Sequence, residues 1–318
     1  MQPNIDEDCA HSSGSTITIG SFDGVHIGHQ EIIRSVVKQA HEDDSESGVV
    51  TFFPHPSKVL RNIEGPFYLS TDTEKKEVLT SLGIDYVKTI EFTAQFAKTP
   101  AEKFVRDLHT ELNFSSLIVG SDFKLGANRE GDISLLSRLG SLLNFKVKVV
   151  TPTSSDGEII SSSRIRNLLG KGEVHQVNQL LGRWYDLHGE VVHGDGRGKH
   201  IGIPTANIDV WREKLLPATG VYAAWIDIDG VMHPSVVNIG HRPTFYQPGA
   251  EQTVEVHILQ FNRDIYGKQI KLLIVDHVRS EVRFSSAQEL MEQIQNDIRQ
   301  SKEILAYATG SKYLPVRS

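Results

Sequence analysis

The spacing of apolar residues changes character near residue 180, and this change constrains the fold more than any other feature of the sequence. Before it, short apolar runs alternate with longer segments whose apolar residues recur every three or four positions. After it, β-like runs are separated by glycine, proline, asparagine and aspartate. The first pattern is typical of strand–helix repeats that build a parallel sheet, and the second of an antiparallel barrel or sandwich. Since 318 residues also exceed what one core usually organises, we expect two domains.

In the first half, strands are predicted at 16–20, 49–53, 85–92, 117–120 and 146–152, and helices at 29–41, 75–83 and 101–112. Parallel strands joined by right-handed crossovers bind ligands beyond their carboxyl ends, where the strand order reverses. The segments GSFDGVHIGH and GSDFKLG follow the strands at 16–20 and 117–120. We therefore expect the chemistry of this half at these two loops.

The second half is predicted to be an antiparallel β-barrel closed by one terminal helix. Ser286 and Glu289 have the spacing of a capping box, and apolar residues then recur at fourfold spacing. The fold class is thus an α/β domain with a parallel sheet followed by a β-barrel. We expect a flexible tail at 1–15, a first domain at 16–182 and a second at 183–318, with the junction within 170–183.

Composition restricts the classes of partner and compartment. The formal net charge of −7 argues against a general nucleic-acid binder, and no apolar run approaches the roughly 20 residues that span a bilayer. The polar N-terminus does not resemble a signal peptide. With Cys9 as the single cysteine, no intrachain disulfide can form, which fits a cytoplasmic protein. The sequence leaves the oligomeric state open, a homo-oligomer included.

The decapeptide GSFDGVHIGH carries a pair of histidines directly in front of a helical pattern. His26 and His29 can lie on one side of the first helical turn, where free backbone N–H groups and the helix dipole attract anions. Gly24 and Gly28 allow a phosphate to approach the backbone. The alternatives are exposed helix histidines beside a tight turn, or a zinc site with His55 as third ligand. Following a strand, the whole motif favours phosphate binding.

A second segment, ISSSRIRNLL, supports the same chemistry. Ser162 and Ser163 offer hydroxyl donors, and Arg164 and Arg166 carry guanidinium groups that match phosphate oxygens. The alternative is a plain helix cap with surface arginines. Beside the first motif, phosphate binding is the better interpretation.

The glycine-rich segment VVHGDGRGKHIGIPTANI is a candidate nucleotide loop in the second half. Thr205 and Asn207 offer hard oxygen ligands suited to Mg²⁺ with bridging phosphates. By themselves these residues equally fit a long hairpin loop. Further on, TVEVHIL alternates so that Glu255 and His257 share one face, and a surface glutamate is the simplest interpretation of that pattern.

Taken together, these segments resemble a known family. HIGH and ISSSRIR are similar to two motifs of the nucleotidyltransferase superfamily, which has a Rossmann-like fold. The chain more closely resembles the N-terminal module of bacterial bifunctional riboflavin kinase/FMN adenylyltransferases, the FAD synthetases. The segments that carry this resemblance are, in order, FDGVHIGHQ, FFPHPSKVL, VGSDFKLGANREGD and ISSSRIR. GIPTAN resembles the hallmark of the flavokinase fold, and the resemblance covers nearly the whole chain beyond residue 15.

The resemblance implies two transfers, in which ATP first phosphorylates riboflavin to FMN and a second ATP then adenylylates FMN to FAD. It implies that Glu255 is the base for the riboflavin hydroxyl and that Thr205 and Asn207 bind Mg²⁺. His26, His29 and Arg166 would stabilise phosphate charge. Implied contacts with ATP are Gly20, Phe22, Asp23, Gly24, Gly28, Ser162, Ser163, Arg164, Gly196, Gly198, Lys199, Gly202 and Pro204. Implied contacts with the flavin are His55, Asp122, Leu125, Arg279 and Glu281.

Four positions depart from the usual pattern of the family. Leu125 stands where an aromatic residue is common, Ile203 replaces a frequent Phe, Trp184 a common Pro, and Ser163 a Thr. None of these changes removes a reactive group. Two rival functions remain, a nucleotidyltransferase acting on another phosphate acceptor and a flavin or nucleotide sensor without activity.

Overall fold

The computed structural model of the protein describes residues 14–151, 154–155, 158–194, 203–241 and 252–308. The chain forms two compact units. The first consists of Met1–Glu64 with Ser70–Ser161, and the second of Gly65–Leu69 with Ser162–Ser318. The predicted tail at 1–15 lies almost wholly outside the described residues, but Ser15 is the buried first residue of a strand. The domain boundary at 182–183 stays a prediction.

The first unit is built on a parallel sheet. Its strands are β1 (Ser15–Ile19), β2 (Glu46–Phe53), β3 (Tyr86–Glu91), β4 (Ser116–Gly120) and β5 (Lys146–Val150). All four strand pairings are parallel, and the order across the sheet is β3-β2-β1-β4-β5. The chain therefore reverses its direction of winding between β1 and β4, which places the candidate loops after these strands at the switch point. This confirms the predicted α/β class.

Helices flank the strands of this sheet. They are α1 (Ile27–Glu42), α2 (Pro56–Arg61), α3 (Asp72–Ser81), α4 (Ala101–Leu112) and α5 (Ile133–Leu143). Short 3-10 turns lie at Phe96–Lys98 and Ala127–Arg129, and the paired two-residue strands β6 (Ser154–Ser155) and β7 (Glu158–Ile159) follow β5. Helix α4 has the predicted bounds, α1 and α3 begin earlier than predicted, and α2 and α5 were not predicted.

The second unit contains a closed six-stranded antiparallel barrel. Its strands are β8 (Tyr185–Val192), β9 (Ala206–Val210), β10 (Gly220–Ile228), β11 (Val231–His241), β12 (Gln252–Ile258) and β13 (Gln269–Ser280). Their order is β10-β11-β12-β9-β8-β13, and pairing of β10 with β13 closes the ring. Among the described strands of this barrel, closure leaves none with an exposed edge. The barrel expected from the sequence is thus confirmed.

Helices of this unit are α6 (Ser162–Gly170), α7 (Val174–Leu181) and the terminal α8 (Ala287–Ala308). The predicted cap of α8 forms in part, because the Glu289 N–H donates to the Ser286 hydroxyl while the Glu289 carboxylate accepts from Ser285 instead. Helix α7 occupies the segment that the sequence analysis assigns to a junction.

The amide of Asn178 connects α7 to the barrel. Its Nδ2 donates to the carbonyl oxygens of Ile274 (3.0 Å) and Val275 (2.9 Å), and its Oδ1 accepts from the Tyr185 N–H at 2.7 Å. The side chain is 3% exposed. A polar residue on the buried face of α7 is therefore satisfied by three backbone groups, which fixes the helix against β8 and β13.

We expect Asn178→Ala to lower the free energy of unfolding of the second unit by about 2–3 kcal/mol, because buried backbone groups lose their partners. Urea unfolding followed by tryptophan fluorescence measures this, since the chain has three tryptophans and Trp184, Trp211 and Trp225 all belong to this unit. Gln176→Ala, on the exposed face of the same helix, is the control and should change stability by less than about 0.5 kcal/mol. Equal effects of the two variants would contradict this account.

Candidate active sites

The loop between β1 and α1 has a backbone conformation that few residues adopt readily. Phe22, Gly24 and Val25 have φ angles of 47°, 77° and 36°. Phe22 and Val25 are nevertheless 3% and 0% exposed, so both side chains are packed into the unit. Left-handed backbone at bulky residues marks a site whose shape is imposed by its surroundings.

Ser70 forms hydrogen bonds with two residues of this loop, Asp23 and Gly24. The Ser70 hydroxyl accepts from the Gly24 N–H at 3.1 Å, and the carboxylate of Asp23 accepts from the Ser70 N–H at 3.2 Å. Ser70 and Asp23 are 2% and 1% exposed. The conformation of the turn therefore depends on a buried segment far away in sequence, and Ser70 is a residue that sequence reasoning missed.

The two histidines of the loop stack on each other. Their ring centroids are 3.6 Å apart with an interplanar angle of 18°, and the Phe22 ring meets His29 edge-on at 5.1 Å. His26 caps α1, because its Nδ1 accepts from the backbone N–H of His29 at 3.3 Å. That acceptor role places the proton of a neutral His26 ring on Nε2. The prediction that both rings lie on one side of the first turn is confirmed.

His29 is an uncharged imidazole near neutral pH. Burial lowers the pKa of His29 well below its usual value. Electrostatic repulsion from His26 and from Lys75 lowers that pKa further. Its Nδ1 is buried and has no hydrogen-bond partner within the described part of the chain. The ring can therefore form a hydrogen bond with a ligand while it carries no positive charge.

The remaining predicted flavin contacts of the first unit lie in different surroundings. His55 caps α2 by accepting from the Ser57 N–H at 3.1 Å, and Asp122 is exposed just after β4. Leu125 is 9% exposed and packs in the main hydrophobic cluster of the unit. The three residues stay predictions as flavin contacts.

The serine–arginine segment belongs to the second unit, at the start of α6. Ser163 is exposed, and Arg164 and Arg166 are half-buried. The Nε of Arg166 donates to the carbonyl of Phe67 at 2.9 Å, and its guanidinium carbon lies 3.9 Å from the centroid of the Phe67 ring. Contact with Phe67 thus holds the guanidinium of this side chain. The predicted ATP contacts Ser162, Ser163, Arg164 and Arg166 stay predictions.

In the barrel, three polar residues form one row across neighbouring strands. Glu255 on β12 is the register partner of Asn207 on β9 and of Asn238 on β11. Val254 and Val256 on either side of Glu255 are 2% and 0% exposed, so the row lies on the opposite face from the core. The strand pairing thus brings together Glu255 and Asn207, and adds Asn238, which the sequence analysis did not identify.

The segment before β9 is held against this row. The carbonyl of Pro204 accepts from Nδ1 of His257 at 2.9 Å, which fixes the backbone directly before the half-buried Thr205. On the other side, Gly194 lies so close to the Asn207 amide that a Cβ at that glycine would overlap it. The predicted ATP contacts Gly196, Gly198, Lys199 and Gly202 lie outside the described residues.

Glu281 and Arg279 differ in their surroundings. A Cβ placed at Gly240 would lie 2.9 Å from Oε1 of Glu281 and 3.4 Å from Nδ2 of Asn238, so Glu281 is a neighbour of the polar row. The guanidinium of Arg279 instead forms a bidentate ion pair with Asp297 on α8, with contacts of 2.8–3.1 Å. Its main role in the fold is to attach the terminal helix, and its contact with a flavin stays a prediction.

Comparison with known proteins assigns each half of the chain to a family model. Residues 8–164 match the FAD synthetase model, and residues 181–305 match the riboflavin kinase model. Proteins named bifunctional riboflavin kinase/FMN adenylyltransferase match over most of their length. The relative from Listeria monocytogenes is 35% identical over 91% of this chain and 92% of its own, and that from Bacillus subtilis is 37% identical over 89% and 90%. The Escherichia coli K12 relative is 36% identical over 91% and 92%.

One solved structure has the same arrangement of elements along most of the chain. It is a crystal structure of a macrolide-efflux protein from Streptococcus pneumoniae, with a TM-score of 0.84 and 30% identity over 93% of this chain and 96% of that one. Among the described residues of the present chain, no helix has the length and apolar character needed to cross a membrane.

The lowered pKa of His29 predicts acid sensitivity of the first unit. Below about pH 6.5 the unfolded chain binds a proton on this ring and the folded chain does not, so stability falls as pH falls. His29→Gln should make the pH dependence of the unfolding free energy shallower by at most about 1.4 kcal/mol per pH unit between about pH 6.5 and pH 5. Urea unfolding followed by circular dichroism at several pH values measures this slope.

The control for this titration is His41→Gln, which alters an exposed histidine at the other end of α1. It should leave the slope unchanged. A wild-type slope that survives His29→Gln would show that His29 does not carry the acid sensitivity.

Proposed function

Because the chain belongs to the family of bifunctional riboflavin kinase/FMN adenylyltransferases, we propose a specific site and set of residues for each of its two reactions. The protein is a riboflavin kinase and FAD synthetase that uses ATP in both steps. The polar row of the barrel is the proposed kinase site. The β1–α1 loop carries the proposed adenylyltransferase chemistry.

In the kinase reaction, we assign Glu255 as the general base. Its carboxylate accepts the proton of the 5′-hydroxyl of riboflavin as that oxygen bonds to the γ-phosphorus of ATP, and the bond to the leaving ADP breaks. Asn207 is its register partner, so the base and the phosphate-binding segment are fixed by the same strand pairing. Such transfers depend mainly on positioning and charge neutralisation.

The residues around Glu255 fit a Mg²⁺ ion. The Thr205 hydroxyl and the Asn207 amide provide neutral oxygen ligands, and contact with Gly194 fixes the Asn207 side chain beside the row. Magnesium prefers oxygen ligands and commonly binds through one or two protein groups together with substrate phosphates. When bound, it neutralises charge on the β- and γ-phosphates of ATP. The ligands proposed here are Thr205 and Asn207, and the hydrogen bond from His257 Nδ1 to the Pro204 carbonyl fixes the backbone directly before Thr205.

In the adenylyltransferase reaction, a phosphate oxygen of FMN bonds to the α-phosphorus of ATP, and pyrophosphate leaves. His26 and His29 are proposed to donate hydrogen bonds to the phosphates at the start of α1, where the helix dipole also favours an anion. Because His29 is uncharged, it stabilises the developing charge as a dipole. No covalent enzyme intermediate is required. Gly20, Phe22, Asp23, Gly24 and Gly28 remain proposed ATP contacts, and Ser162, Ser163, Arg164 and Arg166 stay predictions from the sequence.

One observation supports this proposal above the others. The stacked histidines stand at the start of a helix, next to a strained turn and at the switch point of a parallel sheet, and a buried ring nitrogen of His29 has no partner among the described residues. A structural role for the pair would not require that unsatisfied nitrogen. The kinase barrel argues against a transferase for another phosphate acceptor, and the presence of Glu255, Asn207 and both histidines argues against an inactive sensor.

Incubation of the purified protein with riboflavin, ATP and Mg²⁺, followed by chromatography of the flavins, tests the proposed function. FMN should appear first and FAD later, and a chelator should stop the formation of FMN. Absence of both products from a folded protein would refute the proposal.

We expect Glu255→Gln to slow FMN formation by about 100- to 10,000-fold, because a positioned general base is lost. Conversion of added FMN to FAD should be unchanged. Glu190→Gln, at an exposed position on β8, is the matched control and should leave both rates unchanged. Loss of both activities in a folded Glu255 variant would contradict the assignment of separate sites.

His29→Ala should have the opposite pattern. It should slow the conversion of FMN to FAD by about 100- to 1,000-fold, since a donor to the phosphates is removed, and leave riboflavin phosphorylation intact. His41→Ala on the same helix serves as the comparison. A His29→Ala protein that forms FAD at the normal rate would exclude His29 from the site.

A further inference from the structure

Lys75 is a buried lysine that neither proposed reaction uses. It lies in the first turn of α3 and is 5% exposed. Its ammonium donates to the hydroxyl of Thr51 on β2 at 3.3 Å. An apolar side chain would fill the same space without the cost of desolvating a charge, so a buried lysine here calls for a reason beyond packing.

The contact with Thr51 extends to the candidate phosphate loop. An ammonium group can only donate, so the Thr51 hydroxyl accepts from Lys75 and keeps its own hydrogen for another partner. That hydrogen is donated to the carbonyl of Ser21 at 3.1 Å. Ser21 directly precedes Phe22, where the left-handed backbone begins. The orientation of one buried hydroxyl thus links the charge of Lys75 to the strained turn.

Lys75 also acts on His29 through its charge. Burial, followed by His26 and Lys75, lowers the pKa of His29. Burial likewise lowers the pKa of Lys75, while the carboxylates of Asp23 and Asp72 raise it and Lys76 lowers it. Asp23 belongs to the loop itself, so the acidic and basic groups beneath the turn form one interacting set.

We infer that Lys75 is a positioning residue of the adenylyltransferase site. It orients the Thr51 hydroxyl, and through it the Ser21 carbonyl, and so preserves the shape of the turn that carries the histidine pair. Its charge also adds to the effects of burial and of His26 on the pKa of His29. The inference rests on the adenylyltransferase role proposed for the β1–α1 loop.

Two substitutions separate charge from packing. Lys75→Met keeps the length of the side chain and removes both the donor and the charge, whereas Lys75→Arg keeps the charge and can still donate. Lys76→Met is the matched control, because Lys76 is the exposed neighbour on the same helix and pairs only with Asp72 at 3.1 Å among the ion pairs of the described residues. Each variant is assayed for FMN formation, for conversion of FMN to FAD, and for the pKa of His29 by NMR of its ring C–H signals.

Lys75→Met should lower kcat for FAD formation by about 10- to 100-fold, as expected for misplaced catalytic groups, with riboflavin phosphorylation unchanged. The pKa of His29 should rise in Lys75→Met, return toward the wild-type value in Lys75→Arg, and stay unchanged in Lys76→Met. If Lys75 had only a structural role, the Lys75→Met protein would keep the wild-type pKa of His29 whenever its NMR spectrum showed that it is folded.

The inference is overturned if Lys75→Met retains wild-type FAD formation, or if it loses that activity while the pKa of His29 is unchanged. A wild-type protein that makes no FAD would instead refute the proposed function. In that case the NMR titration would still show whether Lys75 controls the charge of His29, so the two failures are distinguishable.

Discussion

The left-handed backbone of the β1–α1 loop is the constraint on which the chemistry proposed for the first unit depends. A bulky residue in this conformation costs about 1–2 kcal/mol, and Phe22 and Val25 both adopt it. Burial of their side chains and the hydrogen bonds from the loop to Ser70 offset that cost. The result is a turn that holds two stacked imidazoles at the start of α1 before any ligand arrives, and such preorganisation is what electrostatic catalysis requires.

The barrel achieves a similar preorganisation by strand register. Glu255, Asn207 and Asn238 come from three strands that are distant in sequence, yet antiparallel pairing sets them in one row. Valines next to Glu255 face the core, so the same alternation that builds the barrel aims the polar groups outward. In both units a sheet positions the side chains that we propose to be reactive.

Much of this fold follows from sequence patterns, and the exceptions have physical causes. Parallel strands are apolar runs, and α4 has a clear amphipathic pattern, so both were predictable. Helix α5 was missed because Gly140 interrupts its pattern, although a Cβ there would lie only 2.5 Å from the carbonyl oxygen of Phe145. The histidine pair follows from its motif, whereas Ser70 contacts the loop from 46 residues away and Lys75 looks like an ordinary surface lysine. Long-range contacts of this kind leave no local pattern.

The central claim is that one chain catalyses two separate transfers from ATP, a phosphoryl transfer to riboflavin and an adenylyl transfer to FMN, and that each consumes its own ATP. Supplying riboflavin with ATP radiolabelled at a single phosphorus atom tests it most directly. FAD should carry label from γ-labelled ATP in its FMN half and from α-labelled ATP in its AMP half, while β-label should leave in ADP and pyrophosphate. FAD that lacks the γ-label, or that retains the β-label, would contradict the account.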